Sequence, residues 1–178
     1  METLEQYREI ISICRNTYLK KAQDYGTSWR VYRTISIADQ IYIKAWRIRQ
    51  IQESGVQKIA DSIESEFMAM VNYGLMGLIQ LSIDKNEPTY LSIEKATSFY
   101  DNQVKIVEDL MVLKNHDYGE AWRDMRISSI TDLILMKLLR VKQIEDNKGQ
   151  TLASEGVVAN YQDMLNYAVF ALIKLGVK

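Results

Sequence analysis

Two stretches of this chain repeat one another at a fixed distance of 93 residues, which commits it to folding as two copies of one unit. With residues 24–53 laid over 117–146, identities fall at Asp24/Asp117, Tyr25/Tyr118, Gly26/Gly119, Trp29/Trp122, Arg30/Arg123, Arg33/Arg126 and Ser36/Ser129. They continue at Ile37/Ile130, Asp39/Asp132, Ile41/Ile134, Lys44/Lys137, Arg47/Arg140, Gln50/Gln143 and Ile51/Ile144. That is 14 identities in 30 positions, where unrelated sequences of ordinary usage share about two. Tyr7/Tyr100 extends the match upstream, and an offset of 94 aligns Asn72-Tyr73 with Asn166-Tyr167.

The repeated unit reads as three helices. The chain of 178 residues has one proline, Pro88, where usual composition gives about nine, so helices are long and joints few. Apolar residues recur at helical spacing, as in Ile37, Ile41, Ile48 and Ile51. Thr3-Leu4-Glu5-Gln6, Ser36-Ile37-Ala38-Asp39 and Ser129-Ile130-Thr131-Asp132 read as capping boxes, while Gly55, Gly149 and Gly176 mark helix stops. Helices are expected near residues 3–23, 36–53, 57–82, 92–115, 129–146 and 154–175. The expected fold is all-α, a tandem duplication in a six-helix pseudo-twofold bundle: first repeat 1–83, linker 84–91 around Pro88, second repeat 92–178. Helices 2 and 5 look apolar on nearly every side and are expected at the centre, with helices 1 and 4 outside. Apolar surface left uncovered on helices 2 and 5 predicts a homodimer.

Composition removes several function classes. Lys plus Arg total 22 against 23 Asp plus Glu, which argues against direct DNA binding or a polybasic membrane anchor. The amino-terminal METLEQYREI has no apolar signal core, and no apolar run is long enough to span a bilayer. A lone cysteine, Cys14, forms no intrachain disulfide, so a cytoplasmic setting is expected. With one histidine, His116, the chain cannot assemble a His/Cys zinc site; a metal would be a hard cation such as Mg²⁺ on carboxylates. No phosphate-binding glycine loop, dinucleotide fingerprint, nucleophile elbow or H-E-x-x-H pattern occurs.

The repeated polar residues are the informative ones. The Asp-Tyr-Gly loops followed by Trp and Arg can be helix stops with aromatic plugs, or a stacking surface and guanidinium group for a base and a phosphate. Ser36, Asp39, Ser129 and Asp132 fit capping. Lys44/Arg47 and Lys137/Arg140 lie mid-helix in core-like segments, where unpaired cations are costly. Partners stand on the third helix of each repeat: Asn160, Asp163, Asn166 and Tyr167 with Glu155 upstream, against Glu66, Asn72 and Tyr73 with Ala69 in the place of Asp163. A structural ion pair and a Mg²⁺–phosphate pocket both account for this pattern. His116 reads as a surface or capping residue and Cys14 as a small core hydrophobe.

The run Lys114-Asn115-His116-Asp117-Tyr118-Gly119-Glu120-Ala121-Trp122-Arg123, with Ser129-x-x-Asp132, Lys137-x-x-Arg140, Glu155 and Asp163-x-x-Asn166-Tyr167, resembles nucleotide modification associated domain 1. That bacterial and phage family is named for its genomic company with base-modification systems. The likeness covers most of residues 92–175 and, more weakly, 3–82, where Ala69 and Asp61 depart from it. A more distant, purely architectural likeness is to the all-α nucleoside-triphosphate pyrophosphohydrolases, whose acidic motifs have only fragments here.

Two functions follow as expectations. In the first, the protein handles a nucleotide, with Mg²⁺, as a binding accessory to base modification or a pyrophosphohydrolase-like enzyme. Tyr118, Trp122, Arg123, Lys137, Arg140 and Asn166 would bind base and phosphate, with Glu155 and Asp163 toward metal and Asp117 in the same set. Their first-repeat equivalents are Asp24, Trp29, Arg30, Lys44, Arg47, Glu66 and Asn72. In the second, the chain is a non-catalytic helical interaction module whose polar network only organises the bundle.

Overall fold

Long helices are what a chain with one proline can build, and the computed structural model, which describes residues 2–178, contains six: α1 (Glu2–Tyr25), α2 (Thr34–Ser54), α3 (Ile63–Ser82), α4 (Ile93–Tyr118), α5 (Ile127–Asp146) and α6 (Val157–Lys174). Short 3₁₀ turns, Ser28–Val31 and Ala121–Asp124, join α1 to α2 and α4 to α5. Among the described residues there is no strand, and no helix is long and apolar enough to cross a membrane.

The helices stack in three layers of two. α3 and α6 pack on each other in the middle, α2 and α5 cover one side, and α1 and α4 the other. This corrects the expectation that helices 2 and 5 are central. α6 buries most of its residues, including Tyr161, Leu165, Ala168 and Leu172, whereas Ile43 and Trp46 on α2 and Leu139 on α5 are exposed. Only a middle-layer helix is covered on two sides, so the most uniformly apolar helices take that place. α1 and α4 lie outside, as expected. Gly77 permits the close approach within the middle layer: a Cβ there would meet the Tyr161 ring at 2.4 Å.

Cross-repeat pairs display the pseudo-twofold relation. Tyr7 donates to Asn166 Oδ1 at 2.9 Å, and its repeat mate Tyr100 donates to Asn72 Oδ1 at 2.8 Å. Arg8 makes a two-pronged pair with Glu108 at 2.8 and 3.0 Å. Arg15 does the same with Asp101 at 2.7 and 2.8 Å. Positions 8 and 101 correspond, as do 15 and 108, so α1 supplies both guanidiniums and α4 both carboxylates. On the opposite layer Asp39 meets Lys142 at 2.7 Å and Asp132 meets Arg49 at 3.4 Å.

Helix starts differ from the expected ones. α2 and α5 begin at Thr34 and Ile127 behind Arg33 and Arg126, neither of which gives a side-chain cap. Ser36 and Ser129 therefore sit inside the first turn and do not cap. The 3₁₀ turns deliver the chain into each helix two residues early, and Asp39 and Asp132 are used in ion pairs between repeats. Thr3 likewise does not cap; its hydroxyl accepts from Arg123 Nη2 at 2.7 Å and donates to Glu120. α3 and α6 start later than expected, at Ile63 and Val157. Side-chain caps occur instead at Ser62 and Ser92, whose hydroxyls accept from Ser65 N at 3.1 Å and Lys95 N at 3.2 Å.

Candidate functional site

Each repeat opens a cleft at the same place. α1 ends in Gly26 at φ +65° and α4 in Gly119 at φ +58°, left-handed conformations that glycine adopts without strain. The following 3₁₀ turn brings a tryptophan back over the third helix of its own repeat. The cleft of the first repeat measures about 570 Å³ and that of the second about 390 Å³. Lys21/Lys114, Tyr25/Tyr118, Trp29/Trp122, Asn72/Asn166 and Tyr73/Tyr167 line the two in corresponding positions.

The second cleft has a charged wall. Asp163, mostly buried, accepts from Lys137 Nζ at 2.7 Å and Lys114 Nζ at 2.5 Å. Burial opposes ionisation of Asp163, but the hydrogen bonds and charges of Lys114 and Lys137 outweigh it, and its carboxyl titrates below the usual range. Burial also acts against the Lys114 ammonium, yet Asp163, with Glu155 nearby, holds its pKa above the ordinary lysine value. Glu155 lines the cleft, and Tyr118, 73% exposed, stands at its mouth. Asn166 lines it while its Oδ1 is occupied by Tyr7.

Trp122 is a wall and not a free stacking surface, a correction to its expected place against a base. Phe170 stacks on it at 4.4 Å and 3°, Arg123 lies over the ring at 4.4 Å, and its indole N–H donates to Asn115 Oδ1 at 3.1 Å. Tyr118 and Tyr167 are the other aromatic rings that line the cleft beside the Trp122–Phe170 stack.

The structure thus brings together Tyr118, Trp122, Lys137, Glu155, Asp163 and Asn166. It leaves out three expected members. Arg123 is a latch to Glu120, Thr3 and Gln6. Asp117 is exposed beside His116. Arg140 is exposed on an open groove with Asn160; three residues past Lys137, it is turned about 60° around α5 and displaced about 4.5 Å along it. In the first repeat, Glu66 accepts from Lys44 Nζ at 3.1 Å and Arg47 Nη1 at 2.8 Å, and Arg47 also donates to the carbonyls of Ile59 and Asp61. That closed cluster lies outside the cleft. Arg30 is drawn to Gln80 and the Glu87 carbonyl, and Asp24 is exposed.

Lys114 heads the motif run but has no site role in the sequence reading, although Lys21/Lys114 is an identity just upstream of the aligned window. Burial pushes the Cys14 thiol up to about 12, which keeps it protonated at neutral pH. Among the described residues no three of His, Cys, Asp and Glu gather as a metal centre. Glu155 and Asp163 are the carboxylates that line the second cleft, and Asp163 is already shared by two ammoniums. A hard cation would need further oxygens from a bound molecule.

A family model described as nucleotide modification associated domain 1 matches residues 21–81 and 114–175. The segments begin at Lys21 and Lys114, the paired lysines of the two clefts, and leave out most of α1 and α4. No curated protein and no solved structure matches the chain significantly.

Proposed function

The chain belongs to the nucleotide modification associated domain 1 family, and we propose that its second repeat binds a nucleotide, with phosphate on Lys114 and Lys137 and the base against Tyr118 and Tyr167. The observation that carries this reading is the convergence of two ammoniums from different helices on one carboxylate beside a cleft. Each ammonium has three donors, so both lysines can keep Asp163 and still donate to a phosphate. Lys114 is the accessible partner, its side chain 42% exposed against 10% for Lys137. Mg²⁺ commonly uses one or two carboxylates plus phosphate oxygens and water. Here it would enter with the phosphates and take Glu155, with Asp163 behind it. The enzymatic form of this reading is a Mg²⁺-dependent pyrophosphohydrolase; the accessory form binds without turnover.

A thermal-shift panel of nucleoside and deoxynucleoside mono- and triphosphates, with and without Mg²⁺, tests binding. The expected result is stabilisation by phosphorylated nucleotides that Lys137→Met abolishes. Absence of any shift at millimolar concentration would remove the reading, and pyrophosphate release separates enzyme from accessory.

A second reading is a helical interaction module whose polar groups serve only the bundle. It is supported by the saturation of Glu66 by Lys44 and Arg47 without a ligand, the pattern that Asp163 repeats. On that reading Lys137→Met combined with Asp163→Leu costs little stability, as apolar replacement of a buried pair often does, and no nucleotide effect exists to be lost.

A further inference from the structure

Asn72 and Asn166 hold the same place in the two repeats and spend their amides differently. Asn72 uses both ends: its Oδ1 accepts from the Tyr100 hydroxyl at 2.8 Å, and its Nδ2 donates to the Cys14 carbonyl at 3.0 Å. Asn166 uses one. Its Oδ1 accepts from the Tyr7 hydroxyl at 2.9 Å, while among the described residues its Nδ2 donates to no protein group. The carbonyl of Val107, which stands where Cys14 does, receives nothing from it. Asn166 is 5% exposed and lines the second cleft, and its nitrogen is not one of the polar atoms shut away unpaired inside the protein. The unused N–H bonds therefore open on the cleft.

The direction of this amide is fixed from behind. Tyr7 is fully buried, and the Asn166 oxygen is the acceptor of its hydroxyl proton. Turning the amide over would leave that proton buried without an acceptor, which is costly. The cleft is thus offered a donor and no acceptor at this point. Asn166 stands three residues beyond Asp163, about 4.5 Å along α6, and four before Phe170, which stacks on Trp122. Residues at those spacings share a helix face. Along the α6 wall the order is therefore the carboxylate that gathers Lys114 and Lys137, then the amide, then the aromatic pair.

We propose that Asn166 Nδ2 donates to a carbonyl oxygen on the base of the nucleotide held in this cleft, so that the second repeat selects keto bases over amino bases; the inference rests on the nucleotide reading given above. Thymine and guanine present a carbonyl oxygen at the edge where cytosine and adenine present an amino group. A carbonyl accepts from Nδ2, whereas an amino group meets it donor against donor and both are left desolvated and unpaired. With Oδ1 spent on Tyr7, the amide also lacks the paired donor and acceptor by which a free asparagine recognises adenine. Tyr7 is a positioning residue on this account. It does not touch the ligand, and it sets what the cleft offers.

The experiment is isothermal titration calorimetry of the full chain with Mg²⁺, comparing uridine with cytidine triphosphate and inosine with adenosine triphosphate, in ribo and deoxyribo forms. Each pair exchanges a carbonyl for an amino group at the base edge. The keto member of at least one pair is expected to bind about tenfold tighter, the effect of one hydrogen bond. Asn166→Asp keeps an oxygen for Tyr7 and turns the donor into an acceptor; its added charge weakens binding throughout, and the keto preference is expected to vanish or reverse. Tyr7→Phe lets the amide turn and is expected to bring the ratio toward one, a change that lost stability alone does not produce. Equal affinity within both pairs in the wild type would overturn the proposal while leaving nucleotide binding in place, as would a keto preference unchanged in Asn166→Asp. Binding of none of them at millimolar concentration would overturn this proposal and the nucleotide reading together. If a variant fails to fold or to bind, the wild-type ratios decide.

Discussion

The Tyr7 hydroxyl donates to Asn166 Oδ1 at 2.9 Å, which ties the first helix of one repeat to the last helix of the other. Tyr100 and Asn72 make the reciprocal bond at 2.8 Å. Each asparagine stands on the border between the bundle interior and a cleft, so the joint between repeats also fixes the back of both pockets. Tyr7→Phe leaves the Asn166 oxygen buried without its donor, a loss expected to cost about 1–3 kcal/mol. Chemical denaturation read by circular dichroism measures it, and no change would mean that the bond contributes nothing net.

Gly77→Ala should destabilise the protein although alanine is the better helix former. The new Cβ would meet the fully buried Tyr161 ring at 2.4 Å, and displacing a packed ring costs about 1–3 kcal/mol, against about 1 kcal/mol gained in helix propensity. A lower melting temperature is the expected outcome. A rise would mean that α3 and α6 can separate freely.

Arg47 and Arg140 are repeat mates with different work. Arg47→Ala removes a partner of the buried Glu66, which keeps only Lys44, and its bonds to the Ile59 and Asp61 carbonyls, which Gln57 also serves; a loss of about 1–3 kcal/mol is expected. Arg140→Ala, at an exposed position, should stay within about 0.5 kcal/mol. Equal losses in paired unfolding curves would contradict this division.

Acid should weaken the fold partly through Asp163. Its carboxyl titrates below the ordinary 3.8 in the folded protein. The stability it contributes is therefore complete above the ordinary value and is lost as pH falls through the lowered one. Between about pH 5 and pH 2, urea-unfolding free energy should fall more steeply in the wild type than in Asp163→Asn. Parallel curves would show that Asp163 is not linked to folding.

The homodimer expectation now rests on exposed Ile43, Trp46 and Leu139 in the α2/α5 layer. Light scattering should give about twice the 20.7 kDa of one chain. A mass near 21 kDa across a concentration series would remove that expectation.

The duplication, the all-helical class and six helix positions were legible because apolar period, proline scarcity and self-similarity are properties of the chain itself. Six of the residues that line the second-repeat cleft stand out in the sequence as well, several of them as polar residues at helical spacing on an apolar helix. Helix starts were read less well. Ser36 and Ser129 match a capping pattern, but a 3₁₀ turn upstream, invisible to that pattern, starts each helix earlier. Arg140 and Arg123 carried the right chemistry at the right spacing and still point elsewhere.

The sequence by itself determined that two three-helix units exist and which residues they hold in common, because those facts depend only on local spacing. Only the tertiary structure decided which helices occupy the middle layer, since that is a competition among all six for two-sided cover. It alone decided that Trp122 is stacked by Phe170 and lies under Arg123, while Trp29, about equally buried, is enclosed by other neighbours. The difference arises because Met76 stands in the first repeat where Phe170 stands in the second, and because Gln80 captures Arg30. Identical residues thus acquire different surroundings, because a side chain's chemistry is set by its neighbours in space and the two repeats do not have the same ones.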